Sequence, residues 1–153
     1  MGTLELKIPP VVLVLLSGAA MWILSAAAPS FARKVPYSQA IAFIFAVSGV
    51  AVAVFGVVSF RRACTTVNPT RPQDVSSLVT TGIYRLSRNP MYLGLLLALV
   101  AWVVFLGNVL ALLPVVAFVA YMNRFQITPE ERALAAMFGT EFKAYKQRVR
   151  RWA

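Results

Sequence analysis

At 153 residues the chain is short for more than one domain, and 59% hydrophobic residues leave too little polar side chain to cover a soluble core. The net charge of +10 invites a nucleic-acid partner. That partner is rejected, because the basic residues flank long uncharged runs, where membrane topology and anionic headgroups place them. The chain has no His and one cysteine, Cys64, which excludes an intrachain disulfide, makes a metal cluster implausible and removes the commonest general base.

The first apolar run, residues 9–28 (PPVVLVLLSGAAMWILSAAA), carries no charge and is long enough to cross about 30 Å of hydrocarbon as helix. Its AAAPSFA tail resembles a cleavage site, but the run is longer than a signal-peptide core and its flank is barely basic, so it is taken as a retained span. The second span is 38–60, whose Gly- and Ala-rich stretch 46–56 suits close helix packing. A Pro-, Thr- and Ser-rich loop, 61–90, follows and should be mostly irregular; loops of that length tend to be functional. From Met91 the chain is again apolar, and the turn signal Gly107-Asn108 divides it into spans at 91–106 and 109–125, with Pro114 expected to kink the latter.

The remainder, 128–153, is charged and helical by pattern. Thr128-Pro129-Glu130-Glu131 has the form of a capping box. Gly139 should break the helix, and a second one should present Phe142, Tyr145, Val149 and Trp152 as an apolar stripe on a membrane surface. The expectation is therefore an all-α integral membrane protein: one domain over 1–153, four spans, and C-terminal cytosolic or interfacial helices. Four spans collect all the basic residues except Arg33 and Lys34 on one side, together with all five acids. By the positive-inside rule that side is cytoplasmic, with both termini, and a bacterial inner membrane fits.

Two clusters meet there if 91–125 is a hairpin: Tyr84, Arg85, Arg88, Asn89 and Tyr92 at the entry to the third span, and Glu130 with Glu131 after the fourth. Cationic and anionic groups side by side suit a zwitterion, its carboxylate on Arg and its ammonium on Glu. Bland readings stand beside this one. The arginines suit topology, Glu131 suits a helix N-terminus, the tyrosines suit an interfacial belt, and Gly82 and Gly94 suit a turn and helix packing.

In combination, TTVNPTRPQDVSSLVTTGIYRLSRNPMYLG and EERALAAMFGTEFKAYKQRVRRW resemble the isoprenylcysteine carboxyl methyltransferase family and its phospholipid N-methyltransferase relatives, over roughly residues 64–152. The resemblance implies a helical membrane enzyme that binds S-adenosylmethionine in a cytosolic pocket without a Rossmann fold and methylates a lipophilic acceptor arriving from the bilayer. By position, Gly82, Tyr84, Arg88, Asn89, Pro90, Tyr92 and Gly94 would line the cofactor site from the loop. Glu130 and Glu131 would face it from the tail, and Tyr145 with the basic residues near Arg148 would form the lid. Arg88, Glu130 and Glu131 are the candidates for catalysis. Asn89 stands where the carboxyl methyltransferases usually have His and cannot take a proton at neutral pH. The proline often found after Val149 is also missing. The acceptor is not legible: a prenylcysteine carboxylate, phosphatidylethanolamine and a thiol all fit. A reductase using NADPH and a non-catalytic membrane protein are the other readings.

Overall fold

The computed structural model describes residues 5–62 and 77–153. Cys64, Arg71 and Asp74, and the first half of the 61–90 loop, lie outside the described residues. The described chain is helical: α1 (Pro10–Ala27), α2 (Ser38–Arg62), α3 (Pro90–Leu106), α4 (Leu112–Tyr121) and α5 (Thr128–Arg148). Short 3-10 turns cover Pro29–Phe31, Gly82–Arg85 and Val109–Ala111. Pro10 and Pro90 stand at the first positions of α1 and α3, where a missing N–H costs nothing.

Three helical stretches are long and apolar enough to cross a membrane, namely Pro10–Ala27, Ser38–Arg62 and Val109–Arg148, and α3 is a shorter apolar helix. The third stretch has 40 residues, which at 1.5 Å per residue is roughly twice the hydrocarbon thickness. Its apolar half ends at Ile127, and Glu130, Glu131 and Arg132 begin the polar half.

Glycine sets the closest helix contact. A Cβ on Gly94 of α3 would lie 2.5 Å from the Gly49 carbonyl oxygen of α2, and one on Gly49 would lie 2.7 Å from the Gly94 oxygen. On the other side of α3, α1 and α4 close a core around Met21, Leu99, Val115, Phe118 and Met122.

The α3–α4 turn forms at the expected dipeptide. Gly107 is left-handed at φ 59°, and Asn108, 3% exposed, donates to the Ala28 carbonyl (2.9 Å) while its oxygen accepts from the Leu110 amide (2.9 Å). One buried amide thus ties the turn to the end of α1.

Three expectations need correction. Pro114 does not interrupt α4; it stands at that helix's third position, directly after the 3-10 turn Val109–Ala111. The irregularity lies instead at Met122–Ile127, a π-helical turn joining α4 to α5. For the same reason there is no capping box. The chain enters Thr128 already helical, so no free amides await it, and the Thr128 hydroxyl donates back to the Asn123 carbonyl at 2.6 Å. Finally, most of the tail's apolar stripe faces inward, into the protein. Phe142, Tyr145 and Val149 are buried against Leu78, Leu134, Ala135 and Phe138. A sharp bend at Gly139 (φ 46°, ψ −114°) folds that segment back onto the chain.

Candidate active site

The 3-10 turn Gly82–Arg85 docks on the end of α2, where Phe60 meets the Tyr84 ring edge-on at 5.3 Å. Gly82 has φ +61° and is exposed, a turn residue. Tyr84 is buried, and the Tyr145 hydroxyl donates to its backbone oxygen at 2.7 Å. Burial pushes both phenols far above the ordinary value, so both keep their protons.

Arg88 is the hub. Its Nη2 lies 2.7 Å from Glu131 Oε1, and its Nη1 donates to the carbonyls of Val149 (2.9 Å) and Lys146 (3.2 Å). The Arg88 amide donates to Arg150 O at 3.0 Å, and Asn89 Nδ2 and Ser87 Oγ donate to Arg151 O. The segment after α5 therefore lies along the 84–89 loop as a strap. Glu131 also holds Arg151 (2.7 Å) and Lys146 (3.6 Å). Burial alone would push its carboxyl up; the hydrogen bond from Arg151 and the charge of Arg88 overcome that and hold it below the usual value.

Glu130 is the opposite case. Tyr92 and Gln126 both donate to its Oε1, Gln126 at 2.6 Å. Among the described residues no cation pairs with Glu130 and no hydrogen bond reaches its second oxygen. Burial pushes its carboxyl up to about 7, against the two hydrogen bonds that favour the anion. A second unmet group is near at hand: Arg88 Nε is buried with no acceptor.

The structure thus brings Arg88, Asn89, Tyr92, Glu130, Glu131 and Tyr145 together around the strap. Pro90 starts α3, and Gly94 lies in the α2 contact rather than beside the acids. Sequence reasoning missed Gln126 and Asn123, and had Arg151 only among the basic residues of the lid. Asn123 accepts from both Arg151 (3.3 Å) and Trp152 (3.2 Å). The available signal was position: Asn123 and Gln126 are polar residues at the end of an apolar run, with Gln126 four residues before Glu130 on one helix face.

The two acids predict opposite pH effects. Glu130 releases its proton near 4.5 when unfolded and near 7 when folded, so stability is full below 4.5 and falls as pH rises from 4.5 to 7. Glu131 contributes stability that is present above 4.5 and lost as pH falls through its lower folded value. Melting of Glu130→Gln beside the parent chain, from pH 5 to 8, should show the variant gaining an advantage of about 3 kcal/mol by pH 8. A constant difference across that range would contradict the assignment.

The model of the phospholipid methyltransferase family matches residues 37–141, more than half of the chain. The chain belongs to that family. It is also 34% identical over 112 residues to proteins described as probable protein-S-isoprenylcysteine O-methyltransferases of Oryza sativa, in subspecies indica and japonica. That match covers 71% of this chain and 57% of each rice protein, so the chain spans little more than half of their length. An uncharacterised protein of Haemophilus influenzae is 55% identical over 62 residues, 40% of this chain and 98% of that protein. No solved structure gives a significant match. Family membership and the apolar helices together make this a membrane protein, and the family match spans both the Arg88 and the Glu130–Glu131 blocks.

Proposed function

We propose that this chain is a membrane methyltransferase that moves a methyl group from S-adenosylmethionine to a lipophilic acceptor, at a site on the cytosolic face. The observation that carries the reading is the pair of unmet groups beside the strap. Arg88 Nε–H is a buried donor without an acceptor, and Glu130 presents an oxygen that no described donor fills. These fit the carboxylate and the ammonium of one zwitterion, which is the chemistry of the donor's methionine end. Arg88, Asn89 and Tyr84 would hold it from the loop, with Glu130 and Tyr145 opposite. When bound, the sulfonium supplies an activated methyl group, which needs mainly proximity and in-line alignment.

The chain's own part is to position and to exclude water. Glu131 keeps the strap on the loop through Arg88 and Arg151. Glu130, with one oxygen fixed by Tyr92 and Gln126, keeps the other for a cation or a proton. An acceptor of the isoprenylcysteine carboxylate type arrives deprotonated and asks nothing of it. Membership of the phospholipid methyltransferase family supports a second acceptor class, an aminophospholipid, for which Glu130 is the group able to receive the amine proton near neutral pH. The cytosolic placement rests on the distribution of basic residues.

Calorimetric titration of detergent-purified protein with S-adenosylhomocysteine, with NADPH in parallel, tests the reading. Saturable binding of the former should weaken by about two orders of magnitude in Glu130→Ala, the cost of one charge-assisted contact. Binding of NADPH alone would replace the methyltransferase with a reductase.

A further inference from the structure

The residues before α1 take no part in the reading above, yet they reach the acid site. The Leu6 amide donates to the Phe125 carbonyl at 3.0 Å, inside the π-helical turn. Glu5 pairs with Arg132 of α5 at 2.7 Å, with the Glu5 side chain only 10% exposed. Leu6 itself has φ +58°, a backbone conformation that a non-glycine residue holds only where its neighbours enforce it. Two consecutive residues of this arm thus grip the helix on either side of Gln126 and Glu130.

The turn they grip sets the phase of the site. A π turn carries one residue more than an α turn, and π turns are rare because they need outside support. Here the support is the Thr128 hydroxyl on Asn123 O and the Leu6 amide on Phe125 O. Each residue advances an α-helix by about 100°. Tightening the turn to α register would swing α5 by that angle against the buried stripe of Val115, Phe118 and Met122, and carry Glu130 away from Tyr92.

We propose that Glu5 and Leu6 are positioning residues of the acid site: they hold the π-helical turn in its wide register and so keep Glu130 facing Tyr92. The proposal deepens the methyl-donor reading and rests on it for one of its two readouts.

The test uses the full chain in detergent, with Glu5→Arg, Arg132→Glu and the double exchange. Amide exchange across 123–130 and affinity for S-adenosylhomocysteine are both measured. Each single variant should exchange about tenfold faster in that segment and bind about fivefold more weakly. The double exchange should restore both to within about twofold, a rescue that a loss of bulk packing would not show. Glu5→Gln, a milder change, should shift exchange in the same direction if a charge reversal prevents folding. Single variants that exchange like the parent, or a double exchange no better than either single, would overturn the proposal. If the parent chain binds no S-adenosylhomocysteine while exchange responds and recovers, the arm's hold on the turn stands and the methyl-donor reading falls.

Discussion

Replacing Glu131 with Ala should release the strap, and this is the largest single effect expected near the site. One carboxylate, 11% exposed, holds Arg88 and Arg151 at 2.7 Å each and Lys146 at 3.6 Å. Arg88 is itself 11% exposed, so deletion leaves a cation that is largely withdrawn from water without its counter-charge. Breaking one side of such a buried pair costs about 3 kcal/mol. Surface ion pairs would not justify that figure, and the 32%-exposed Arg151 contributes less of it than Arg88 does. The strap carries Arg150 and Arg151, and Lys146 and Arg148 stand in the last turn of α5 before it, so trypsin reports its release directly. Rapid cleavage after these residues at a temperature where the parent chain is resistant, with lowered affinity for S-adenosylhomocysteine, is the expected result. Unchanged cleavage would show that the bonds from Arg88, Asn89 and Ser87 to the strap's carbonyls hold it without the acid.

Gly94→Val is expected to be as damaging for a purely steric reason. The first added carbon would stand 2.5 Å from the Gly49 oxygen, 2.9 Å from Ala53 Cβ and 3.0 Å from Ala53 N. Two of those three atoms are backbone of α2, which cannot rotate aside as a flexible side chain would. The helices must separate, at a cost of about 3 kcal/mol or more. Gly18→Ala in α1 is the matched control, because nothing lies within 4 Å of its added carbon. It should be neutral or gain up to about 1 kcal/mol from helix propensity. Detergent melting curves of the two variants check both statements, and equal loss in both would mean that close approach is not what Gly94 provides.

What the letters disclosed, and what they hid, follows from how each feature is encoded. The apolar helices were legible because lipid-facing length needs an uninterrupted run, and Gly107-Asn108 and Gly139 were legible because positive φ favours one residue type. Arg88, Glu130 and Glu131 stood out because charge beside a span is costly. The π turn has no such letter. Thr128 follows it as the first residue of α5, and its hydroxyl looked like a cap because a cap and a back-bond use the same residue types. Most partners of Arg88 are backbone carbonyls of Lys146, Val149 and Arg150, and a carbonyl is present at every position of any sequence. The division of labour between the two glutamates was equally hidden, since it depends on which face of α5 meets Arg88 and which meets Tyr92.

The unbroken helical path from Val109 to the acids has a mechanical corollary. Asn108 pins its far end to Ala28, and Tyr92 and Arg88 grip Glu130 and Glu131 at the other. The stretch between, Val109 to Ile127, measures roughly 28 Å at helical rise, close to one hydrocarbon thickness. A strut anchored at both ends cannot tilt freely to suit a thicker or thinner bilayer. Adjustment to another thickness therefore falls to the bundle as one body, with the spacing around Glu130 kept.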